Sequence, residues 1–209
     1  MFYEDFQLTL LEFLKPHWKR VIFLDLETHV IDDNFLSNER ILSISYARRV
    51  SDNFLDSEGI EVTTLILDHD DDESEISLLK KLNDEMEKIR PLGVIGYGIR
   101  FYDIPLLTLK KERYQLRLWK LIDMLESACH VDLYHILKNK GYRKLYEAIY
   151  SNEFKELPLL RTKDIVPRSG EEKAKEIYRL WKEDRNNLKK YNKGDVHDTL
   201  LIAENFLSS

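Results

Sequence analysis

Four consecutive apolar residues, Val21-Ile22-Phe23-Leu24, run straight into Asp25-Leu26-Glu27. An unbroken apolar run of this kind reads as a strand buried on both faces, which needs a sheet covered by helices on each side. Side chains two apart in a strand share a face, separated by about 6.6 Å at ~3.3 Å rise per residue. Asp25 and Glu27 therefore point the same way at the end of a central strand. Carboxylates crowded there repel one another and resist desolvation, and a divalent cation offsets both effects. Taken alone, an Asp-x-Glu pair is more simply an ordinary strand end whose acids reach water.

The rest of the chain supplies the sheet that this strand needs. Residues 3–15 have apolar spacing compatible with a short helix that stops before Pro16. Segments 40–50 (RILSISYARRV) and 60–67 (IEVTTLIL) read as two further strands, with Ser51-Asp52-Asn53 as turn chemistry between them. The acidic loop from Asp68 to Glu75 leads into a helix running to about Arg90. After Pro91-Leu92-Gly93, residues 94–97 form a short buried strand, and helix resumes near Ile104 with Pro105 in its first turn. His130-Val131-Asp132-Leu133 fits a strand, while Cys129 to Leu137 fits a helix equally well. Residues 151–169 lack a period, and 171–182 and 185–207 are helical. Three early strands followed by alternating helix and strand imply an α/β fold, with a mixed central sheet flanked by helices.

At 209 residues and 43% hydrophobic content the chain suits one domain, residues 1–209, with 1–18 as an N-terminal helical extension. The single Cys129 excludes a disulfide framework and a Cys-based zinc site within one chain. A reducing, cytoplasmic setting follows, since the N-terminal segment is acidic where a signal peptide is basic and no apolar run spans a membrane. The net charge of −6 argues against a dedicated high-affinity nucleic-acid binder. The charge is uneven, however: residues 1–100 balance to −10 and residues 101–209 to +4. A basic second half leaves room for phosphate contacts, although an uneven solvated surface produces the same figures.

Two more acidic stretches bear on the Asp25-Leu26-Glu27 strand. Asp103 follows the short strand and glycine-containing turn of residues 94–102 and opens a helix, where an N-cap would also be ordinary. Tyr191 and Asp195 are four apart, hence stacked on one helix face beside the apolar stripe of Leu188, Thr199, Ile202 and Phe206. A phenol one turn from a carboxylate can orient water at a metal. A core-edge tyrosine beside a solvated aspartate would look the same.

Taken in order, FLDLET, GYGIRFYDIPLL and YNKGDV resemble the three motifs of the DnaQ-like 3′–5′ exonucleases of the ribonuclease H-like superfamily. The resemblance is to the tyrosine (DEDDy) class, as in the exonuclease domains of family-B DNA polymerases and related stand-alone proteins. It covers residues 21–205. Lys190 stands where the histidine class would carry its His, and Gly98 stands where the second motif usually has Asn, a position that is not a metal ligand in the family. The resemblance implies a ribonuclease H-like fold and a catalytic set of Asp25, Glu27, Asp103, Tyr191 and Asp195. It also implies two divalent cations, Mg²⁺ or Mn²⁺, about 4 Å apart and held by Asp25, Glu27, Asp103 and Asp195. Tyr191 would aim the attacking water, and nucleoside 5′-monophosphates would be released. Thr28 and His29 fall where the family positions the substrate's 3′ end, or at a plain loop entrance.

The expected partner is single-stranded DNA or RNA with a 3′ end. A polymerase, helicase or repair protein would act in trans, because no such region fits within 209 residues. Lys110, Lys111, Arg113, Arg117 and Lys120 interleave with Tyr114 and Trp119, and Lys138, Lys140, Arg143 and Lys144 with Tyr142 and Tyr146. Such mixtures suit a single strand, but charged helix faces over core aromatics give the same pattern and are the simpler reading. His197 and Asp198 flank Asp195 and could support the site's ligands, although exposed helix positions are the simpler reading. The alternatives to an exonuclease are a catalytically silent nucleic-acid-binding or scaffolding module and a ribonuclease H-like endonuclease. Product size separates the two enzymes.

Overall fold

The computed structural model describes residues 2–30, 38–167 and 170–208. A five-stranded sheet forms its centre: β1 (Val21–Val30), β2 (Glu39–Arg49), β3 (Ile60–Ile66), β4 (Gly93–Gly96) and β5 (Cys129–Asp132). The strand order is β3-β2-β1-β4-β5. β1, β2 and β3 pair antiparallel, and β4 and β5 add in parallel on the other side of β1. Helices α1 (Phe2–Leu14), α2 (Asp72–Ile89), α3 (Asp103–Arg113), α4 (Trp119–Glu126), α5 (Leu133–Asn139), α6 (Leu145–Ile149), α7 (Gly170–Glu183) and α8 (Arg185–Ser208) flank the sheet. This is the ribonuclease H-like topology, in which β1 is the central strand.

Successive residues of β1 are buried on alternate faces, as its pleat requires. Ile22, Leu24 and Leu26 pack into a core with Leu78, Leu82 and Met86 of α2 and Ile177, Leu180 and Trp181 of α7. Val21 and Phe23 pack on the opposite face with Leu11 and Leu14 of α1 and Val196, Leu200 and Ala203 of α8. Asp25 and Glu27 continue the Val21–Phe23 side, toward α8.

Each boundary has a local cause. Asp71 caps α2 by accepting from the Ser74 amide at 2.7 Å, and Asp72, Glu73 and Glu75 lie in its first turn, where negative charge is favoured. Arg90 closes α2 in the left-handed region at φ 50°. Residues 129–139 turn out to be strand and then helix: β5 ends at Asp132, whose carboxylate caps α5 through the Tyr134 amide at 3.0 Å. Within the aperiodic stretch 151–169, Thr162–Ile165 form a short 3₁₀ turn.

Pairing on the two sides of β1 is unequal. β2 accompanies it from Phe23 to Val30, with a register shift between Glu27 and Thr28. β4 pairs only with Val21, Ile22 and Phe23. β4 then departs through Gly98, which adopts φ +77°. The carboxyl-terminal half of β1 is therefore open on the β4 side, and that crevice, where connections diverge from the sheet, is the usual ligand position in such folds.

Candidate active site

Asp25 and Glu27 project from the open end of β1, and Asp195 reaches them from α8. One carboxylate oxygen from each lies within 4.8 Å of the others. The register explains the meeting. Glu27 sits opposite Ser43 of β2, and Ser43 receives a hydrogen bond from Asn192 of α8, which anchors the helix one turn from Asp195. The β-bulge directly after Glu27 ends the regular pleat, a device that commonly re-aims side chains beside a site.

Asp103 arrives differently. It is the first residue of α3, and its carboxylate leaves its own helix to accept from the Leu26 amide at 2.9 Å. That amide lies on the stretch of β1 that β4 no longer accompanies, so Asp103 satisfies a backbone donor that the sheet leaves open. Asp103 lies outside the three-carboxylate cluster but lines a cavity of about 360 Å³ together with Asp25, Glu27, Thr28, Gly98 and Tyr102. A second cavity, about 370 Å³, is lined by Asp25, Tyr97, Lys144, Tyr146, Tyr191 and Asp195, among others. Asp25 and Lys173 border both.

Lys163 and Lys173 offset part of the negative charge. Lys173 Nζ donates to Glu27 Oε1 at 3.0 Å. Lys163 Nζ pairs with Asp195 Oδ2 and donates to the Tyr191 hydroxyl at 3.2 Å. Both ammonium groups lie against the Tyr191 ring, 4.9 and 5.7 Å from its centroid. Gly194 makes this arrangement possible. A Cβ there would collide with the side chain of Thr162, so the glycine lets the 162–165 turn lie directly on α8 and present Lys163.

Four carboxylates facing two lysines leave a surplus of negative charge. Burial raises the pKa of Asp25 well above the usual carboxylate range, and Glu27, Asp195 and Asp103 raise it further. Burial also raises Glu27, against the opposing pull of Lys173. Asp103 is pushed up to about 7 by burial, despite the hydrogen bond from Leu26. For Lys173 burial works toward a lower pKa, but Glu27, Asp25 and Asp195 outweigh it and raise the pKa. Tyr191 is raised by burial and then by Asp195, Glu27 and Asp25, so its phenol stays neutral. Among the described residues, two buried oxygens, Asp25 Oδ2 and Asp195 Oδ1, have no hydrogen-bond partner. An orphaned pair of anionic oxygens facing each other's charge suits a hard divalent cation, and an all-oxygen set suits Mg²⁺ or Mn²⁺.

The other expected residues divide. Thr28 lines the first cavity and donates to Glu39 at 2.7 Å, while its hydroxyl lies 2.5 Å from that of Tyr102. His29 is stacked on Tyr178, with ring centroids 3.8 Å apart. His197 and Asp198 are not exposed: they retain 4% and 1% of their accessible surface. Every residue from Gly194 to Glu204 is buried, so this part of α8 has no solvent face to offer them. Asp198 instead accepts from the Leu160 and Arg161 amides at 2.7 and 3.0 Å and holds the segment leading to Lys163. Lys110 is likewise buried and paired with Glu75 at 3.0 Å, and Lys111 and Lys120 pair with Glu126 and Asp123. The first basic-aromatic group is thus largely helix-face ion pairing. In the second group, Lys144 and Tyr146 line the cavity beside Asp25.

Lys163, Lys173 and Asp132 escaped the sequence reading. Lys163 lies in a stretch without a period. Lys173 did carry a signal, being four residues before Ile177 and eight before Trp181 on the apolar stripe of α7. Asp132 binds the second-motif turn through the Gly98 amide at 2.8 Å and the Arg100 amide at 3.3 Å. Its own amide donates to Gln7 of α1 at 2.7 Å.

Among solved structures, the chain is similar to a family B DNA polymerase from the hyperthermophilic archaeon Pyrobaculum calidifontis. The TM-score is 0.66 at 18% identity, over 90% of this chain and 24% of that one. The chain thus spans about a quarter of the length of the polymerase it matches. At this identity the likeness concerns the fold. No protein-family model matches the sequence, and no curated protein does. The fold is that of part of a family B polymerase, and it carries a buried acidic cluster able to hold a metal ion.

Proposed function

We propose that this protein is a metal-dependent 3′–5′ exonuclease acting on single-stranded nucleic acid and releasing nucleoside 5′-monophosphates. The observation that carries the reading is the pair of orphaned carboxylate oxygens on Asp25 and Asp195, inside a group that also includes Glu27. The portion of the archaeal polymerase that this chain matches is read as its exonuclease part, in keeping with the order of the three motifs.

In this reading Asp25, Glu27 and Asp195 would hold one Mg²⁺ or Mn²⁺, and Asp25 with Asp103 a second. Bound there, such ions would supply Lewis-acid charge to the phosphodiester and to water. Tyr191, kept neutral by its surroundings, would hold the attacking water by hydrogen bonding through its phenol. The cavity beside Thr28 and Gly98 would receive the terminal nucleoside. The basic and aromatic walls around Lys144, Tyr97 and Tyr146 would receive the strand leading to it, by stacking and charge. A polymerase, helicase or repair protein in trans would supply the biological context.

The test is a time course on 5′-labelled single-stranded DNA and RNA with Mg²⁺, Mn²⁺ or EDTA, with Asp25→Ala run alongside. The expected result is a metal-dependent 3′-to-5′ ladder, lost in EDTA and in the variant. A ladder that survives Asp25→Ala overturns the mechanism. Oligonucleotide products indicate an endonuclease, and binding without cleavage under any metal indicates a silent module.

A further inference from the structure

We propose that Lys163 and Lys173 are built-in counter-ions that a divalent cation displaces, so that metal occupancy is set against two ammonium groups of this chain. The inference rests on the metal-site reading above and concerns what governs access to that site.

The geometry carries it. Each lysine engages a different member of the three-carboxylate cluster: Lys173 holds Glu27 at 3.0 Å and Lys163 holds Asp195. Among the described residues, two oxygens of the cluster, Asp25 Oδ2 and Asp195 Oδ1, still have no hydrogen-bond partner, so the two ammonium groups do not complete the site. A cation held by Asp25, Glu27 and Asp195 would compete with the lysines for the negative charge of the same carboxylates, because a metal ion and an ammonium group beside one carboxylate repel each other. The lysines also have somewhere to go. Both line the cavity beside Asp25, with Lys144 on its wall. Swung off the carboxylates, they would face that cavity as free cations, suited to a phosphate. The 162–165 turn, seated on Gly194 and tied back by Asp198, and helix α7 carry the two lysines. In this arrangement metal arrival and anion recruitment are a single exchange of partners.

The experiment measures Mn²⁺ binding without nucleic acid, by calorimetry and by the electron paramagnetic resonance signal of free Mn²⁺. It compares wild type, Lys163→Met and Lys173→Met, substitutions that keep much of the apolar stem while removing the charge. Removing a competing cation should tighten Mn²⁺ binding about tenfold in each variant. Unchanged or weaker binding in folded variants overturns the exchange. Should either variant fail to fold, acylation of wild-type lysines read by mass spectrometry decides the matter. Saturating Mn²⁺ should speed modification of Lys163 and Lys173 several-fold relative to EDTA, with exposed Lys175 as the internal reference. Equal rates with and without Mn²⁺ overturn the proposal. Equal Mn²⁺ affinity in all three proteins sinks the exchange alone, whereas no Mn²⁺ binding in any of them sinks the metal-site reading beneath it.

Discussion

Two buried carboxylate neighbourhoods in this molecule use the same chemistry in opposite proportions. Around Glu75 the buried acid meets an excess of donors, one of which, Arg40, also pairs with the outer Asp70 and Asp72. Glu75 Oε2 accepts from Arg40 at 2.9 Å, Lys110 at 3.0 Å and Tyr114 at 2.5 Å, and its Oε1 from the Ile41 amide at 2.8 Å. Around Asp25, among the described residues, four acids meet two lysines, and two buried oxygens have no partner. The first arrangement is closed: nothing from outside improves it. The second is incomplete, and what would complete it is positive charge. Burial alone therefore does not mark a functional acid; an unbalanced set of partners does.

The largest contrast should come from deleting one acid on each side. Asp25→Ala is expected to lower exonuclease activity about a thousandfold or more, because it removes the carboxylate common to both proposed cation sites. The same change should leave metal-free thermal stability unchanged or raised, since it relieves repulsion with Glu27, Asp195 and Asp103. Glu75→Ala should do the reverse. It strands buried Lys110 without its partner, while Arg40 keeps Asp70 and Asp72, and should cost about 3–5 kcal/mol in denaturant unfolding. If both variants lost stability equally, the distinction between a closed and an incomplete set would fail.

A smaller effect is the pH dependence of the metal-free protein. Asp103 titrates at about 7 in the fold against 3.8 ordinarily, so the folded state holds a proton that the unfolded chain has released. Its contribution is present at low pH and is lost as pH rises from about 4 through about 7, by on the order of 4 kcal/mol. Asp25 and Glu27 are raised too and act with the same sign. Thermal melts in EDTA between about pH 4.5 and 7.5 should show wild type losing more stability than Asp103→Asn, whose side-chain oxygen can still accept from Leu26. Saturating Mg²⁺ or Mn²⁺ should flatten the wild-type slope. Parallel slopes for the two proteins in EDTA would remove the argument.

How much of this was legible beforehand follows from which signals a sequence carries. β1 and the shared face of Asp25 and Glu27 could be read because a two-residue period and an apolar run are local properties. Asp195 and Tyr191 could be paired by helical spacing, though not located against β1, which takes the contact between Asn192 and Ser43. His197 and Asp198 were misjudged because the reading assumed a wet face on α8. That helix is enclosed along eleven successive residues, Gly194 to Glu204, and polar side chains there make buried hydrogen bonds instead. Lys110 belongs to the group read as charged helix faces, but its burial could not be read locally, because its partner Glu75 is 35 residues away. Lys163 had no local signal at all, since the collision that Gly194 avoids with Thr162 exists only in three dimensions.

The finest test of the comparison uses one hydroxyl group from each neighbourhood. Tyr114 donates to Glu75 at 2.5 Å and to Asp72 at 3.0 Å, so its phenol serves acids already engaged in structure. Tyr191 accepts from Lys163 at 3.2 Å and its hydroxyl interacts with Asp195, so its phenol sits among the acids of the cluster and lines the cavity beside them. Tyr114→Phe should therefore cost about 1.5–3 kcal/mol of stability, the worth of a hydrogen bond to a charged group, with activity per folded molecule unchanged. Tyr191→Phe should cost less, about 1 kcal/mol, because the ring stays packed and the Lys163 ammonium that donates to the hydroxyl keeps Asp195 as its partner. It should lower kcat about ten- to a hundredfold with little change in KM, as expected for a group that positions water and does not hold the strand. Paired melts and initial rates on the same 5′-labelled strand decide it. A Tyr191→Phe protein that loses stability but keeps its rate would place Tyr191 with Tyr114, as structure and not as part of the site.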